Sequence, residues 1–266
     1  MKGNEFGNLS EWFQEYVRSF YTDDDFIQQN IILKEEHSLR VVENAVLIAE
    51  AGKLDDEDLF LARTIALFHD IGRFEQIRKY RTFRDSDSEN HANLGVRVLK
   101  EEKVLSNLPA SEQKLILTAI GCHNMHILPD IPDKKTHLHS RIIRDADKLD
   151  IYKVFTDHFA IRAESPNSAL DQEMPDTHGY SKVIIDDLMN NKIASMQDVR
   201  NYNDLNLTRL AWVFDMNTVK AMQLLRERGY IEKIIAVLPQ SKEIDELHSH
   251  LENYIDNILE NKTSGP

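Results

Sequence analysis

Apolar residues recur at helical spacing along almost the whole chain, and this periodicity restricts the fold more than any other feature. Glycine and proline, which punctuate strands and loops, number only 9 and 7, and alternating strand-like patterns are hard to find. The last clear stripe runs from Ile244 to Leu259 and recurs through Leu247, Leu251 and Ile255. The sequence therefore predicts an all-α protein.

Length alone permits one large domain or two small ones, since domains usually run to about 100–200 residues. The stretch Ala163 to Ser181 concentrates proline, serine and acidic residues and is typical of an exposed loop. The residues after this stretch look too few for an independent core. We therefore predict a single helical domain over residues 1–266, in which a helical extension at about 156–260 packs against the first part.

Composition and charge exclude several classes of protein. The formal net charge is -13, so the surface as a whole repels nucleic-acid phosphates, and a nucleic-acid scaffold is not expected. Cys122 is the single cysteine, which excludes an intramolecular disulfide. The first residues lack the apolar core of a signal peptide, and no uncharged apolar run reaches about 18 residues. Cytoplasmic residence without membrane contact is the resulting expectation.

The adjacent His69 and Asp70 close an apolar helical pattern that begins near Asp56, and they are the strongest local sign of chemistry. Two such side chains at the end of an apolar helix must coordinate or pair with something. A histidine that is hydrogen-bonded to a carboxylate would satisfy both groups without any ion, so the pair alone is a weak signal. His37 on the preceding helix and Asp147 far downstream, among apolar residues, favour a metal site.

These residues resemble the HD superfamily of metal-dependent phosphohydrolases, whose pattern is a histidine, a His-Asp pair and a distant aspartate before a basic residue and a leucine. The matching residues are His37, His69-Asp70 and the run Ala146-Asp147-Lys148-Leu149. The resemblance covers about residues 30–155 and implies an HD-like helical bundle with additional C-terminal helices. It also implies hydrolysis of a phosphate ester, with Asp70 as the bridging ligand; Lys148 either touches the substrate or neutralises the aspartates around it.

Two further histidines extend the resemblance. His91 opens a His-x-x-x-Gly segment similar to one in the two-metal branches of the superfamily, and His123 stands where those branches carry another ligand. The branch that cleaves cyclic dinucleotides has a His-His pair at the second place and a Gly-Tyr-Pro motif. Here Asn124 follows His123 and the motif is absent. The set of six also resembles the di-iron oxygenases of the same superfamily, so the ligands alone do not select hydrolysis.

The predicted cofactor is one or two divalent transition-metal ions, because imidazole with carboxylate suits Fe, Mn, Co, Ni or Zn. A bound cation would lower the pKa of water and generate the attacking hydroxide. The polar stretch after the His-Asp pair, residues 72–90, reads as a functional loop. Its Arg73, Arg78 and Arg81 are candidates for gripping the substrate phosphate, or they pair with acidic neighbours on the surface.

The expected partner is a small phosphorylated molecule such as a nucleotide, and the C-terminal helix is a candidate homodimer interface. Two alternatives stay open: a di-iron oxygenase, and a regulatory HD domain that binds a ligand without turnover. The residues expected on the solvated surface are Asp145, Asp150, His137, His139, His158, His178, His248 and His250.

Overall fold

The computed structural model describes residues 2–164 and 166–263, which contain helices and no β-strand. The predicted all-α class is confirmed. The first helices are α1 (Lys2–Arg18), α2 (Asp25–Ala51), α3 (Asp56–Phe68), α4 (Gly72–Tyr80), α5 (His91–Glu101), α6 (Ala110–Cys122) and α7 (Lys134–Ile161). The later ones are α8 (Ser168–Asp171), α9 (Lys182–Met189), α10 (Tyr202–Leu210), α11 (Val219–Glu227), α12 (Tyr230–Ile235) and α13 (Lys242–Thr263). Short 3-10 turns occur at Asp85–Asp87, Met196–Asp198 and Ala211–Asp215.

The chain forms two compact units, Met1–Asp150 and Ile151–Pro266. In the first unit, α2 packs against α3 and α4, and α5 packs against α4 and α6. In the second unit, α13 packs against α9, α11 and α12. The boundary lies within α7, close to the end of the predicted core at about residue 155. The assignment of 1–266 to one domain stays a prediction.

Local capping and aromatic packing fix the helices of the first unit. The side chains of Asp24 and Asp55 accept hydrogen bonds from backbone N–H groups in the first turns of α2 and α3. Phe13 of α1 packs edge-on against Phe68 and Phe74, with ring centroids 6.2 and 6.0 Å away. These contacts hold α1 against the end of α3 and the start of α4, on either side of the His-Asp pair.

A close approach between α4 and α5 depends on glycine. A Cβ atom at Gly72 would lie 2.4 Å from the backbone oxygen of His91 and 2.6 Å from the nitrogen of Gly95. No side chain larger than hydrogen fits there. Because Asp70 lies just before Gly72 and His91 opens α5, this contact sets the separation of the two residues.

The loop predicted over residues 72–90 is wrong in its first half, which forms α4. Phe74 and Ile77 are fully buried on one face of this helix, whereas Arg78 and Lys79 are exposed. This helix has only nine residues and one narrow apolar face, so its helical periodicity is hard to recognise among the charged residues of the sequence. The helix ends at Arg81, whose φ of 56° is left-handed.

Candidate metal centre

Five helices of the first unit bring the six predicted ligands together. His37 lies in the middle of α2 and Asp147 in α7, while His91 is the first residue of α5. The other three follow helix ends: His69 and Asp70 after α3, and His123 after α6. All four histidines and Asp70 are buried, and the side chain of Asp147 is 15% exposed. Residues from distant parts of the sequence thus form one largely enclosed polar cluster.

The cluster has two halves joined by one carboxylate. In the His37–His69 half the two Nε2 atoms are 3.2 Å apart. In the His91–His123 half they are 3.1 Å apart. The Oδ2 atom of Asp70 lies 3.4 Å from Nε2 of His37 and 3.6 Å from Nε2 of His69. Its Oδ1 atom lies 3.4 Å from Nε2 of His91 and 3.7 Å from Nε2 of His123. Asp70 therefore presents one oxygen to each half.

Asp147 belongs to the His37–His69 half. Its Oδ1 atom lies 3.2 Å from Nε2 of His37 and 3.5 Å from Nε2 of His69. Within this cluster, three groups of described side chains have ligand atoms close enough to hold one ion, and they share members: His37, His69 and Asp70; His69, His123 and Asp147; and Asp70, His91 and His123. Asp70 belongs to the first and the third of these groups, which contain one histidine pair each.

Outer acceptors fix the orientation of each imidazole. The Nδ1 atoms of His69 and His123 donate to the backbone oxygens of Ala66 and Ile120, at 2.8 and 2.7 Å. Nδ1 of His37 donates to Asp150 at 2.7 Å. Nδ1 of His91 donates to Asp85 at 2.8 Å. Such partners are typical of metal-bound histidines, because they hold the proton on Nδ1 and direct the Nε2 lone pair inward.

The electrostatics of both halves fit a cation. Burial, assisted by the charge of Arg73, lowers the pKa of His91 to about 3 despite the opposing effect of Asp85, so this ring is neutral at pH 7. Its Nε2 lone pair then faces that of His123 at 3.1 Å, which is unfavourable unless a cation lies between them. Burial and Lys34 lower the pKa of His37, but hydrogen bonds to Asp147, Asp150 and Asp70 outweigh them and raise it to about 9. The carboxylates that hold a proton there would also attract a metal ion.

Asp85 organises the outer side of the His91–His123 half. Besides His91, it accepts hydrogen bonds from Arg73 at 3.1 Å, from Gln76 at 2.9 Å and from Asn124 at 3.1 Å. Burial raises the pKa of this carboxyl, but His91 and Arg73 outweigh burial and lower it to about 2. Asp85 is therefore ionised at neutral pH, and it ties the α4–α5 connection to His91.

Two cations lie next to the carboxylate of Asp70. Nζ of Lys34 is 2.7 Å from Oδ2 of Asp70, and Nε of Arg73 is 3.6 Å from its Oδ1. Both side chains are only 14% exposed. The sequence predicts a site role for Arg73, whereas Lys34 was not among the predicted residues. The available signal was its place one helical turn before His37, which puts both residues on the same face of α2.

Three other residues were predicted at the site: Arg78, Arg81 and Lys148. The guanidinium of Arg78 stacks over Phe20 at 4.2 Å, and Arg81 pairs with Asp24 at 2.6 Å. Neither contact involves the cluster, so the structure does not bring these two arginines to it. Lys148 is half-buried and directly follows Asp147 in α7.

Several residues expected on the solvated surface are buried and paired. Asp150 is 1% exposed because it binds both His37 and Arg40, whose Nε is 2.6 Å away. Asp145 is also fully buried. The start of α7 at Lys134 places His139 in a helix, where it contacts Asp58 at 3.1 Å. His158 is likewise buried and contacts Asp171 at 3.2 Å. Pairing with a carboxylate offsets the burial of each of these histidines.

Comparison with known protein families agrees with this geometry. The model of the family described as the HD domain matches residues 35–152. Residues 35–152 are therefore similar to the HD domain, and domains of this family are generally metal-dependent phosphohydrolases. The match begins just before His37 and ends just after Asp150, so it includes all six predicted ligands. Comparisons with curated proteins and with solved structures gave no match.

Within residues 2–164 and 166–263, no helix is both long enough and apolar enough to cross a bilayer.

Proposed function

We propose that the chain is a metal-dependent phosphohydrolase that cleaves a phosphate ester of a small molecule, with nucleotides as the first class to test. The observation that carries the proposal is the position of Asp70 between two histidine pairs, with cationic side chains on both of its oxygens. An anionic substrate needs local positive charge in a chain of net charge -13. The fold family and the donor chemistry support the same class of reaction.

The protein residues would hold the reactants in place. Divalent cations bound here would supply Lewis-acid activation of water and positive charge for the phosphate. The four histidines are pre-oriented by their outer partners, which reduces the reorganisation that binding requires. The Nε–H group of Arg73 is buried beside Asp70 and has no hydrogen-bond acceptor among the described residues. This donor is available to a phosphate oxygen, whereas Nη1 of the same side chain is held by Gln76, Asp85 and the backbone oxygen of Phe83.

The test combines metal analysis with substrate screening. The protein is purified without added metal, its metal content is measured, and release of inorganic phosphate is followed on a panel of nucleotides and other phosphomonoesters and phosphodiesters. We expect bound transition metal and phosphate release in the native protein, and loss of both in His69→Ala. A further group that could hold an ion, formed by Glu232, His248 and Glu252, lies on α12 and α13. Glu252→Gln therefore serves as a control for metal bound outside the cluster.

The outcomes separate the alternatives. Two iron ions per chain with oxygen consumption and no phosphate release would replace the hydrolase proposal with the oxygenase. Binding of a nucleotide to the metal-loaded protein without turnover of any compound would favour a regulatory domain. Unchanged metal content in His69→Ala would refute the assignment of the cluster itself.

A further inference from the structure

Lys34 is a cation of the candidate centre that neither the ligand pattern nor the family match explains. It lies on α2, one turn before His37, and its side chain is 14% exposed. Among the residues that the structure describes, Oδ2 of Asp70 is the one acceptor within hydrogen-bonding distance of Nζ, at 2.7 Å. An ammonium group can donate three hydrogen bonds. Lys34 therefore has donor capacity that the protein does not use.

The surroundings of Lys34 keep this capacity next to the cluster. Nζ lies 5.3 Å from the ring centroid of Phe83, and the guanidinium of Arg73 lies 5.5 Å from the same centroid. The half-buried ring thus has both cations within cation–π range. Lys34 faces Oδ2 of Asp70 and Arg73 faces Oδ1, so the two positive charges lie at opposite ends of the carboxylate.

The two cations differ in how firmly they are held. Nη1 of Arg73 makes three hydrogen bonds to α4 and to the segment after it. Lys34 has a single ion pair at the end of a flexible four-carbon stem. A compact ammonium on a flexible stem can turn from a carboxylate towards an incoming anion without disturbing the fold.

From this arrangement we propose that Lys34 is a phosphate-binding residue, whose ammonium donates to a non-bridging oxygen of the substrate's phosphoryl group while Arg73 binds from the other side of Asp70. The inference rests on the proposed function, because it assigns a substrate contact at the same site. The group recognised is a phosphoryl dianion or monoanion beside the metal ligands. In the absence of a phosphoryl group, the ammonium lies against Asp70.

The competing explanation is that Lys34 only holds Asp70 in place. Binding of inorganic phosphate to the Mn²⁺-loaded protein separates the two roles, because it requires no turnover. Calorimetric titrations would compare native protein, Lys34→Met and Lys34→Arg, with the metal content of each measured beforehand. Lys79→Met is the matched control, since Lys79 is an exposed lysine whose ammonium lies 4.9 Å from the Tyr80 ring centroid, outside the cluster.

We expect Lys34→Met to keep its Mn²⁺ and to bind phosphate about 10- to 100-fold more weakly, the loss typical of a charge-assisted hydrogen bond. Lys34→Arg should recover most of the affinity, and Lys79→Met should match the native protein. Unchanged phosphate affinity in Lys34→Met would overturn the inference, as would loss of Mn²⁺ from that variant or absence of phosphate binding by the native protein. Failure of the native protein to cleave any phosphate ester would instead refute the proposed function, and the phosphate titrations would still decide the role of Lys34.

Discussion

Gly72→Ala adds one methyl group at the closest approach between α4 and α5. The new Cβ would lie 2.4 Å from the backbone oxygen of His91, whereas ordinary contacts begin near 3.4 Å. The obstructing atoms belong to the backbone of α5 and cannot rotate away. Relief of the clash requires α5 to move by about 1 Å relative to α4, because repulsion rises steeply inside contact distance.

This displacement has a structural and a functional consequence. Overpacking of this kind lowers the free energy of unfolding by about 2–3 kcal/mol, which corresponds to a fall in Tm of about 5–10 °C for a unit of this size. It also moves His91 away from Asp70, whose Oδ1 is 3.4 Å from its Nε2. Metal–ligand distances are tolerated within about 0.2 Å, so the His91–His123 half should lose its ion.

The assay is thermal unfolding followed by circular dichroism, together with metal analysis after loading with Mn²⁺ and gel filtration. Gly121→Ala is the matched control, because a Cβ there meets only Val96 Cγ2, at the ordinary distance of 3.6 Å. That change lies inside α6 and should stabilise the protein by up to about 1 kcal/mol. A Gly72→Ala variant with native Tm and native metal content would refute the argument that this contact sets the geometry of the centre.

Two further predictions concern buried carboxylate–histidine pairs. Asp150→Ala removes the acceptor for Nδ1 of His37, so the metal affinity should fall about 10- to 100-fold when it is measured by competition with a chelator. Glu36→Ala is the control, because it removes the other carboxylate near Arg40 and should leave the metal affinity unchanged. Equal affinities in the two variants would contradict the role of Asp150. Burial lowers the pKa of His139 in the folded protein below its ordinary value of 6.5. Below about that pH the unfolded chain binds more protons than the folded chain, so the free energy of unfolding decreases as the pH falls. In urea titrations, His139→Gln should therefore lose less stability between about pH 7 and pH 5 than the native protein; parallel losses would contradict this assignment.

The candidate cluster could be predicted from the sequence because the His-Asp pair at the end of an apolar helix, a weak signal by itself, is accompanied by His37 and Asp147. The family resemblance implied His37, His91 and His123 as ligands, and the structure brings all of them to Asp70. Their places in the helices did not follow from it, since His37 lies in the middle of α2 and His123 follows the end of α6. The helical class followed from periodicity alone.

The supporting residues could not be recognised in the same way. Lys34 and Asp150 look like solvated residues in the sequence, because a charge on a helix reveals nothing of the helix packed against it. The burial of Asp150 results from its contacts with His37 and Arg40 of α2, which are 2.7 and 2.6 Å away. Lys34 instead pairs with Asp70, which follows the end of α3. His139 was misjudged for the same reason, since its partner Asp58 belongs to α3.

The four partners of Asp85 have a thermodynamic consequence. One carboxylate holds both the candidate ligand His91 and the guanidinium of Arg73. Metal binding at the His91–His123 half and anion binding at Arg73 are therefore linked equilibria. The change that metal binding makes to the free energy of anion binding equals the change that anion binding makes to the free energy of metal binding. A phosphate-containing ligand should raise the affinity for the second ion by the same factor by which that ion raises the affinity for the ligand.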